Sequence, residues 1–187
     1  MRVLIGEDET LIRLDLRGML EAAGFEVCAE ARDGEEAVEL ARTEQPDLAV
    51  LDVKMPRLDG IETARRILDE RPIPIVIVSA YTEATLVERA AEAGVFGYLA
   101  KPFREEDLLP AIATARARFG QLAAVREQVD TLADALAARK AIERAKGILM
   151  AKQSLTEEAA FARLRKASQS SGRPMRVIAE AIIETFS

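Results

Sequence analysis

The sequence predicts an α/β protein: a doubly wound five-stranded parallel sheet, followed by a long helix and a small three-helix all-α domain. Three observations carry this expectation. Five short apolar, mostly β-branched runs recur before residue 100, at 2–6 (RVLIG), 26–31 (EVCAEA), 47–52 (DLAVLD), 73–79 (IPIVIVS) and 96–99 (FGYL). Runs of this length without polar alternation suit strands buried on both faces, as parallel strands are. Helical patterns separate them, and from Glu105 the chain reads as helix with hardly a break.

Leu11, Leu14, Met19 and Leu20 mark the first helix, which stops at Gly24. Ala37, Val38, Leu40 and Ala41 mark the second, between Asp33–Gly34 and Pro46. Ile61, Ala64, Ile67 and Leu68 follow Asp59–Gly60, and Leu86, Val87, Ala90 and Ala91 stop at Gly94. Pro110 sits near the first turns of the long helix, where its missing N–H matters less, and Gly120 marks a kink or a domain boundary. Leu122, Val125, Val129, Leu132 and Leu136 are spaced 3, 4, 3 and 4, an a/d seam suited to a paired helix or to packing within one chain. Two shorter helices follow, one capped by Ser154 or Thr156, the other opened by Pro174. Their inward positions are expected to be Ala160, Phe161, Leu164 and Ala167, then Val177, Ile178, Ala181 and Ile182, sharing a core with Ile142, Ile148 and Leu149. The expected division is 1–118, a helical linker at 119–138, and 139–187.

Composition excludes several functions. There is no histidine, so no Ser-His-Asp triad, imidazole-based zinc site or histidine proton shuttle can exist. The single cysteine, Cys28, excludes an internal disulfide framework, fits a reducing cytosol, and is expected to be a buried small hydrophobe. Acids at Glu7, Asp8 and Glu9 break any leader pattern, and no window of about 18 apolar residues occurs. A soluble, cytoplasmic protein is expected. The net charge of −6 is uneven: residues 1–120 hold 15 basic against 24 acidic side chains, while 139–176 hold 10 against 3. An acidic front and a basic back suggest two domains with different partners, although a basic stretch can also be a solvated helix face.

In open α/β sheets, ligands bind beyond the carboxyl ends of the strands. Glu7 and Asp8 follow the first strand, Asp52 ends the third, Ser79 ends the fourth, and Lys101 follows the fifth. Three converging carboxylates need a cation, and hard oxygen donors suit Mg²⁺. Asp52 could then attack phosphorus as a carboxylate nucleophile, with Lys101 and Ser79 neutralising and hydrogen-bonding the phosphoryl oxygens. The competing role for each acid is to cap the helix after its strand.

These residues resemble the receiver domain of two-component response regulators over about residues 1–118: the acidic pair in VLIGEDE, Asp52 in LDVKMPRLDG, Ser79–Ala80 and Lys101–Pro102. The resemblance implies a flavodoxin-like fold and a sensor histidine kinase that phosphorylates Asp52. It implies Mg²⁺ held by Asp8, Asp52 and the Lys54 carbonyl, with Glu7 assisting through water. It also implies a switch pair of Ser79 and Tyr98, and a cis Lys101–Pro102 bond. Glu-Asp in place of the commoner Asp-Asp moves one carboxylate outward. Lys54 and Tyr81 flank the site and are expected to tune how fast water reaches the aspartyl phosphate.

The segments AIERAKGILM, EEAAFARLRKAS and VIAEAII resemble the ANTAR domain over about residues 125–186. That family implies a three-helix unit that binds stem-loop RNA, usually as a dimer, in transcription antitermination. Lys146, Arg165 and Arg173 are the expected phosphate or loop-base contacts, with Arg144 and Lys166 beside them, and Ala145 and Gly147 permitting close approach. A helix-turn-helix fits less well, because the last helix carries Arg176 but also Glu180 and Glu184. A protein-docking tail without nucleic acid is the reading from another class.

Overall fold

The computed structural model describes residues 1–80 and 84–186, with backbone alone at Ala84. The chain divides into two compact units, Met1–Ala123 and Ala124–Ser187.

The first unit alternates β1 (Arg2–Gly6), α1 (Thr10–Ala22), β2 (Glu26–Ala31), α2 (Gly34–Glu44), β3 (Leu48–Asp52), α3 (Gly60–Glu70), β4 (Ile75–Ser79), α4 (Ala84–Glu92) and β5 (Gly97–Ala100), and ends in the first part of α5 (Glu105–Gln153). The strands form one sheet, every pair parallel, in the order β2-β1-β3-β4-β5. Both faces are covered, and period-2 alternation assigns each strand residue to one of them. Leu4, Ala49, Leu51, Ile75 and Ile77 pack with Ala37, Ala41, Ile61, Ala64, Ile67 and Ala90 of α2, α3 and α4. Val3, Ile5, Leu48, Val50, Val76 and Val78 pack with Leu16 and Leu20 of α1 and with Leu108, Ile112 and Ala115 of α5. Cys28 is half-buried; its thiol donates to the Val3 carbonyl at 3.4 Å, and burial pushes its pKa up.

Side-chain caps fix where α2 and α3 begin. Asp33 accepts the Glu36 N–H at 3.0 Å and Asp59 the Glu62 N–H at 2.8 Å. The glycine after Asp59 has a steric reason. A Cβ on Gly60 would overlap the carbonyl oxygen of Asp52 and lie 2.8 Å from its carbonyl carbon, so only glycine lets α3 start against the end of β3. The inner face of α1 differs from the sequence expectation. Leu11 and Leu14 are 81% and 55% exposed, and Ile12, Arg13 and Leu16 face inward with the expected Met19 and Leu20. On α4 likewise, Val87 is 43% exposed while Ala90 is buried.

The second unit holds the rest of α5, α6 (Glu157–Ser171) and α7 (Met175–Phe186). α5 is helical without interruption through Gly120, so that glycine ends no helix. Thr156 caps α6 by accepting the Ala159 N–H at 3.3 Å, and Gly172 closes it in the left-handed region at φ 67°. The core comprises Ala145, Leu149, Ala160, Leu164 and Ala179, flanked by Ile142, Leu155, Met175, Ile178, Ile182 and Ile183. Phe161 and Val177, expected inside, are 43% and 40% exposed, and Ala181 faces solvent. On α6 the small Ala160 is buried while its neighbour Phe161 turns outward. Val125, Val129, Leu132 and Leu136 of the heptad seam are all exposed.

A polar contact ties α5 to α6. The Lys146 ammonium donates to both Glu143 carboxylate oxygens at 3.0 Å and to Glu157 Oε1 at 2.6 Å. The hydrogen bonds to Glu157 and Glu143 raise the pKa of Lys146 above 10.5, and the bond from Lys146 lowers that of Glu157 below 4.5. The carboxylate's contribution is therefore present above pH 4.5 and lost as pH falls through the depressed Glu157 value. The ammonium's contribution is present below pH 10.5 and lost as pH rises through the raised Lys146 value.

Two measurements follow from this packing. Gly60→Ala is expected to destabilise the first unit by roughly 1–3 kcal/mol in urea unfolding, and an unchanged midpoint would remove the steric argument. Hydrogen exchange in α6 should be faster in Glu157→Gln than in the parent chain between pH 4.5 and 10.5, the difference closing on further acidification. A difference independent of pH would show that the ion pair contributes nothing.

Candidate functional site

The sheet order turns back at β1, with β2 on one side and β3 on the other, so the crevice lies beyond the carboxyl ends of β1 and β3. Glu7, Asp8 and Asp52 meet there, each offering a carboxylate oxygen within 4.8 Å of the others. Glu7 is fully buried, Asp52 is 6% exposed, and Asp8 opens to solvent. Lys101 reaches in from beyond β5, its ammonium 2.7 Å from Glu7 Oε2 and 2.8 Å from Asp52 Oδ1. The other Asp52 oxygen accepts the Lys54 N–H at 2.9 Å, and Glu7 Oε1 accepts the Glu9 N–H at 3.2 Å. Ser79, 1% exposed, ends β4, and its carbonyl accepts the Lys101 N–H at 2.7 Å. The Lys101–Pro102 bond is cis.

Burial is the main cause that raises the Glu7 and Asp52 pKa values, against the lowering effect of Lys101. Burial also works to lower the Lys101 pKa, but its bonds to Asp52 and Glu7 outweigh that and the net shift is upward. Helix capping does not explain these acids: the N-cap of α1 is Glu9, whose side chain makes no capping bond. What remains is a cluster of hard oxygen donors, buried at Glu7 and Asp52 and open to solvent at Asp8, that fits a divalent cation such as Mg²⁺. Asp52 is held at both oxygens, by Lys101 at one and by the Lys54 N–H at the other. A cleft of about 700 Å³ opens beside it, lined by Asp8, Lys54, Met55, Asp59, Leu86 and Arg89 among others.

The crevice thus gathers Glu7, Asp8, Asp52, Ser79 and Lys101. Tyr98 lies on β5 in register with Ile77 and packs, half-buried, against the core beneath α2–α4. The Lys54 side chain is exposed, and Tyr81 lies outside the described residues. Sequence reasoning missed Arg13. It is 7% exposed and donates to the carbonyls of Glu7 at 2.6 Å and Asp8 at 3.3 Å. Its signal was a cation on the same face of α1 as Leu16 and Leu20, three and seven residues later.

In the second unit, Arg144, Arg165, Lys166 and Arg173 are exposed, as is Gly147, where a Cβ would meet nothing within 4 Å. Ala145 has no accessible surface and packs in the core of the unit, whereas Gly147 is exposed. Lys146 is 8% exposed and already engaged by Glu143 and Glu157.

Comparison with known proteins agrees with both halves. The response regulator receiver domain matches residues 3–113, and the ANTAR domain matches residues 130–183. The transcriptional regulatory protein PdtaR of Mycobacterium tuberculosis is 48% identical over 185 residues, covering 99% of this chain and 90% of that protein. A protein-glutamate methylesterase/protein-glutamine glutaminase of Geobacter metallireducens is 42% identical over only 106 residues, covering 54% of this chain and 30% of that one. Among solved structures, the receiver domain of a modulated diguanylate cyclase from Desulfovibrio desulfuricans has TM-score 0.59 at 36% identity, covering 64% of this chain and 96% of that one. The CheX–CheY–BeF3–Mg²⁺ complex of Borrelia burgdorferi has TM-score 0.58 at 27% identity, covering 60% and 86%. With both domains matched in order, and a relative aligned along nearly its whole length, this chain belongs to the response regulators that join a receiver domain to an ANTAR domain.

Proposed function

We propose that a sensor histidine kinase phosphorylates Asp52, and that the phosphorylated regulator binds stem-loop RNA through its ANTAR unit and acts in transcription antitermination. The observation that carries the reading is the Glu7–Asp8–Asp52 cluster, two of its carboxylates buried, with Lys101 across it, at the head of a chain whose basic end is an ANTAR domain. An Asp52 carboxylate oxygen attacks phosphorus, the donor's phosphorus–nitrogen bond breaks, and the kinase imidazole keeps the electron pair. Mg²⁺, held by Asp8, Asp52 and the Lys54 carbonyl with Glu7 assisting, would neutralise charge on the phosphoryl oxygens. Lys101 pairs with one such oxygen, the Ser79 hydroxyl donates to another, and Tyr98 follows Ser79. The BeF3 and Mg²⁺ of the Borrelia burgdorferi CheY complex support this assignment by likeness of fold.

For the output, Arg144, Arg165, Lys166 and Arg173 supply exposed cations for RNA phosphate, and Gly147 lets the backbone approach. The exposed stripe of Val125, Val129, Leu132 and Leu136 is the surface on which a second copy would pair, making a homodimer through the linker helix and the output unit. No described helix is long and apolar enough to cross a membrane, and we place the protein in the cytoplasm.

Two experiments test this. With Mg²⁺ and a small acyl phosphate the full chain should become labelled, and Asp52→Asn should not; labelling that is equal in both, or unaffected by removing Mg²⁺, would sink the assignment. The Arg165→Ala, Lys166→Ala pair should weaken stem-loop RNA binding about tenfold and flatten its salt dependence by about 1–2 in slope. Equal binding of the parent chain to stem-loop RNA and duplex DNA at two salt concentrations, or binding to neither with the phosphate donor present, would overturn the RNA reading.

A further inference from the structure

A guanidinium 7% exposed must be well partnered, because an unpaired buried charge costs several kcal/mol. The partners of Arg13 are unusual in being mostly main chain. One nitrogen, Nη1, donates to the carbonyl of Glu7 at 2.6 Å and to that of Asp8 at 3.3 Å. Those two carbonyls belong to the peptide planes on either side of the Asp8 Cα, so holding both restricts φ and ψ of Asp8 together. The direction of the Asp8 carboxylate then follows from its backbone. Asp8 needs this, since it is the solvent-exposed member of the acidic cluster and has no buried side-chain packing to aim it.

The other side of Arg13 is anchored. Its Nε lies 3.5 Å from Glu30 Oε2 on β2, and Arg17 Nη1 donates to the other Glu30 oxygen at 2.7 Å. Arg17 in turn donates through Nε to Glu21 at 2.9 Å. Glu30 is fixed by the sheet, paired in register with Ile5, and the Glu7 N–H continues that ladder to the Ala31 carbonyl at 3.0 Å. Four alternating charges thus run from the crevice to the surface of α1.

We infer that Arg13 is a positioning residue for the divalent-cation site: it aims the Asp8 carboxylate at the cluster by clamping the peptide planes on both sides of it. A planar fork suits this better than a lysine, because it can serve two carbonyls and the Glu30 carboxylate at once. Partners that orient metal ligands typically change metal affinity by about 10–100-fold when removed, which sets the scale of the effect.

The inference rests on the proposed Mg²⁺ site, and calorimetric titration of the full chain with MgCl₂ separates the two. No Mg²⁺ binding by the parent chain would overturn the site itself. Given parent binding, Arg13→Ala is expected to weaken Mg²⁺ affinity about tenfold or more, and Arg13→Lys to recover part of the loss. Leu16→Ala, which opens the core one turn along the same helix, should lower the thermal midpoint and leave Mg²⁺ affinity within about twofold. Arg13→Ala binding Mg²⁺ within twofold of the parent, or Leu16→Ala weakening it equally, would overturn the positioning role. Should Arg13→Ala fail to fold, Glu30→Ala serves instead. It removes the anchor while keeping the clamp residue, with about a threefold loss expected and no loss overturning the inference.

Discussion

The Lys101 ammonium allows two buried carboxylates, Glu7 and Asp52, to stand at the ends of neighbouring strands. Without a cation between them, desolvation and mutual repulsion would drive one acid to take up a proton, and a neutral acid is a poor ligand and a poor nucleophile. Lys101 comes from the far edge of the sheet, two strands beyond β3, so its own backbone must be carried to the crevice. Main-chain bonds do this by extending the ladders past the strand ends: Glu7 to Ala31 at 3.0 Å, Val53 to Val78 at 2.9 Å, and Lys101 to Ser79 at 2.7 Å. The residues at the head of the sheet therefore inherit its register instead of hanging on free loops, which is the precision an ion site needs.

The same logic explains what could be read in advance. Buried parallel strands have a local signature, an apolar run with a polar residue at its end, and Asp52 and Ser79 each close such a run. Helix faces are less legible, because every third or fourth residue fits more than one stripe. Leu11 and Leu14 look like core by composition yet lie on the open side of α1, while Arg13 looks like surface and is buried. The local signal, Arg13 spaced with Leu16 and Leu20, is weak beside composition, since Arg13 is drawn inward by carbonyls and a glutamate that only the tertiary fold supplies. Phe161 and Ala145 exchange places for a related reason. Where helices approach closely, the contact stripe favours the smaller side chain, and the large aromatic is left outside.

Both units set one lysine between two carboxylates, but the carboxylates are the more buried partners in the first and the lysine is in the second. At the head of the sheet one cation gathers two carboxylates at the end of a large core. Between α5 and α6 two carboxylates gather one cation, Lys146, at the edge of a small one. The difference in core size matters. Among the described residues of the second unit, the fully buried cluster is three alanines and two leucines. Alanine buries little apolar area, and a unit of this size is ordinarily marginal unless something else staples it. Meanwhile Val125, Val129, Leu132 and Leu136 are 53–70% exposed along one seam. Burying a side chain of this kind fully is worth about 1.5–3 kcal/mol, so covering four on each of two chains would add more apolar burial than the unit's own alanines provide. Association along the seam would therefore act on the fold of the output unit as well as on its valency. A signal that changed the pairing of α5 could then change the order of α6 and α7 without touching either helix.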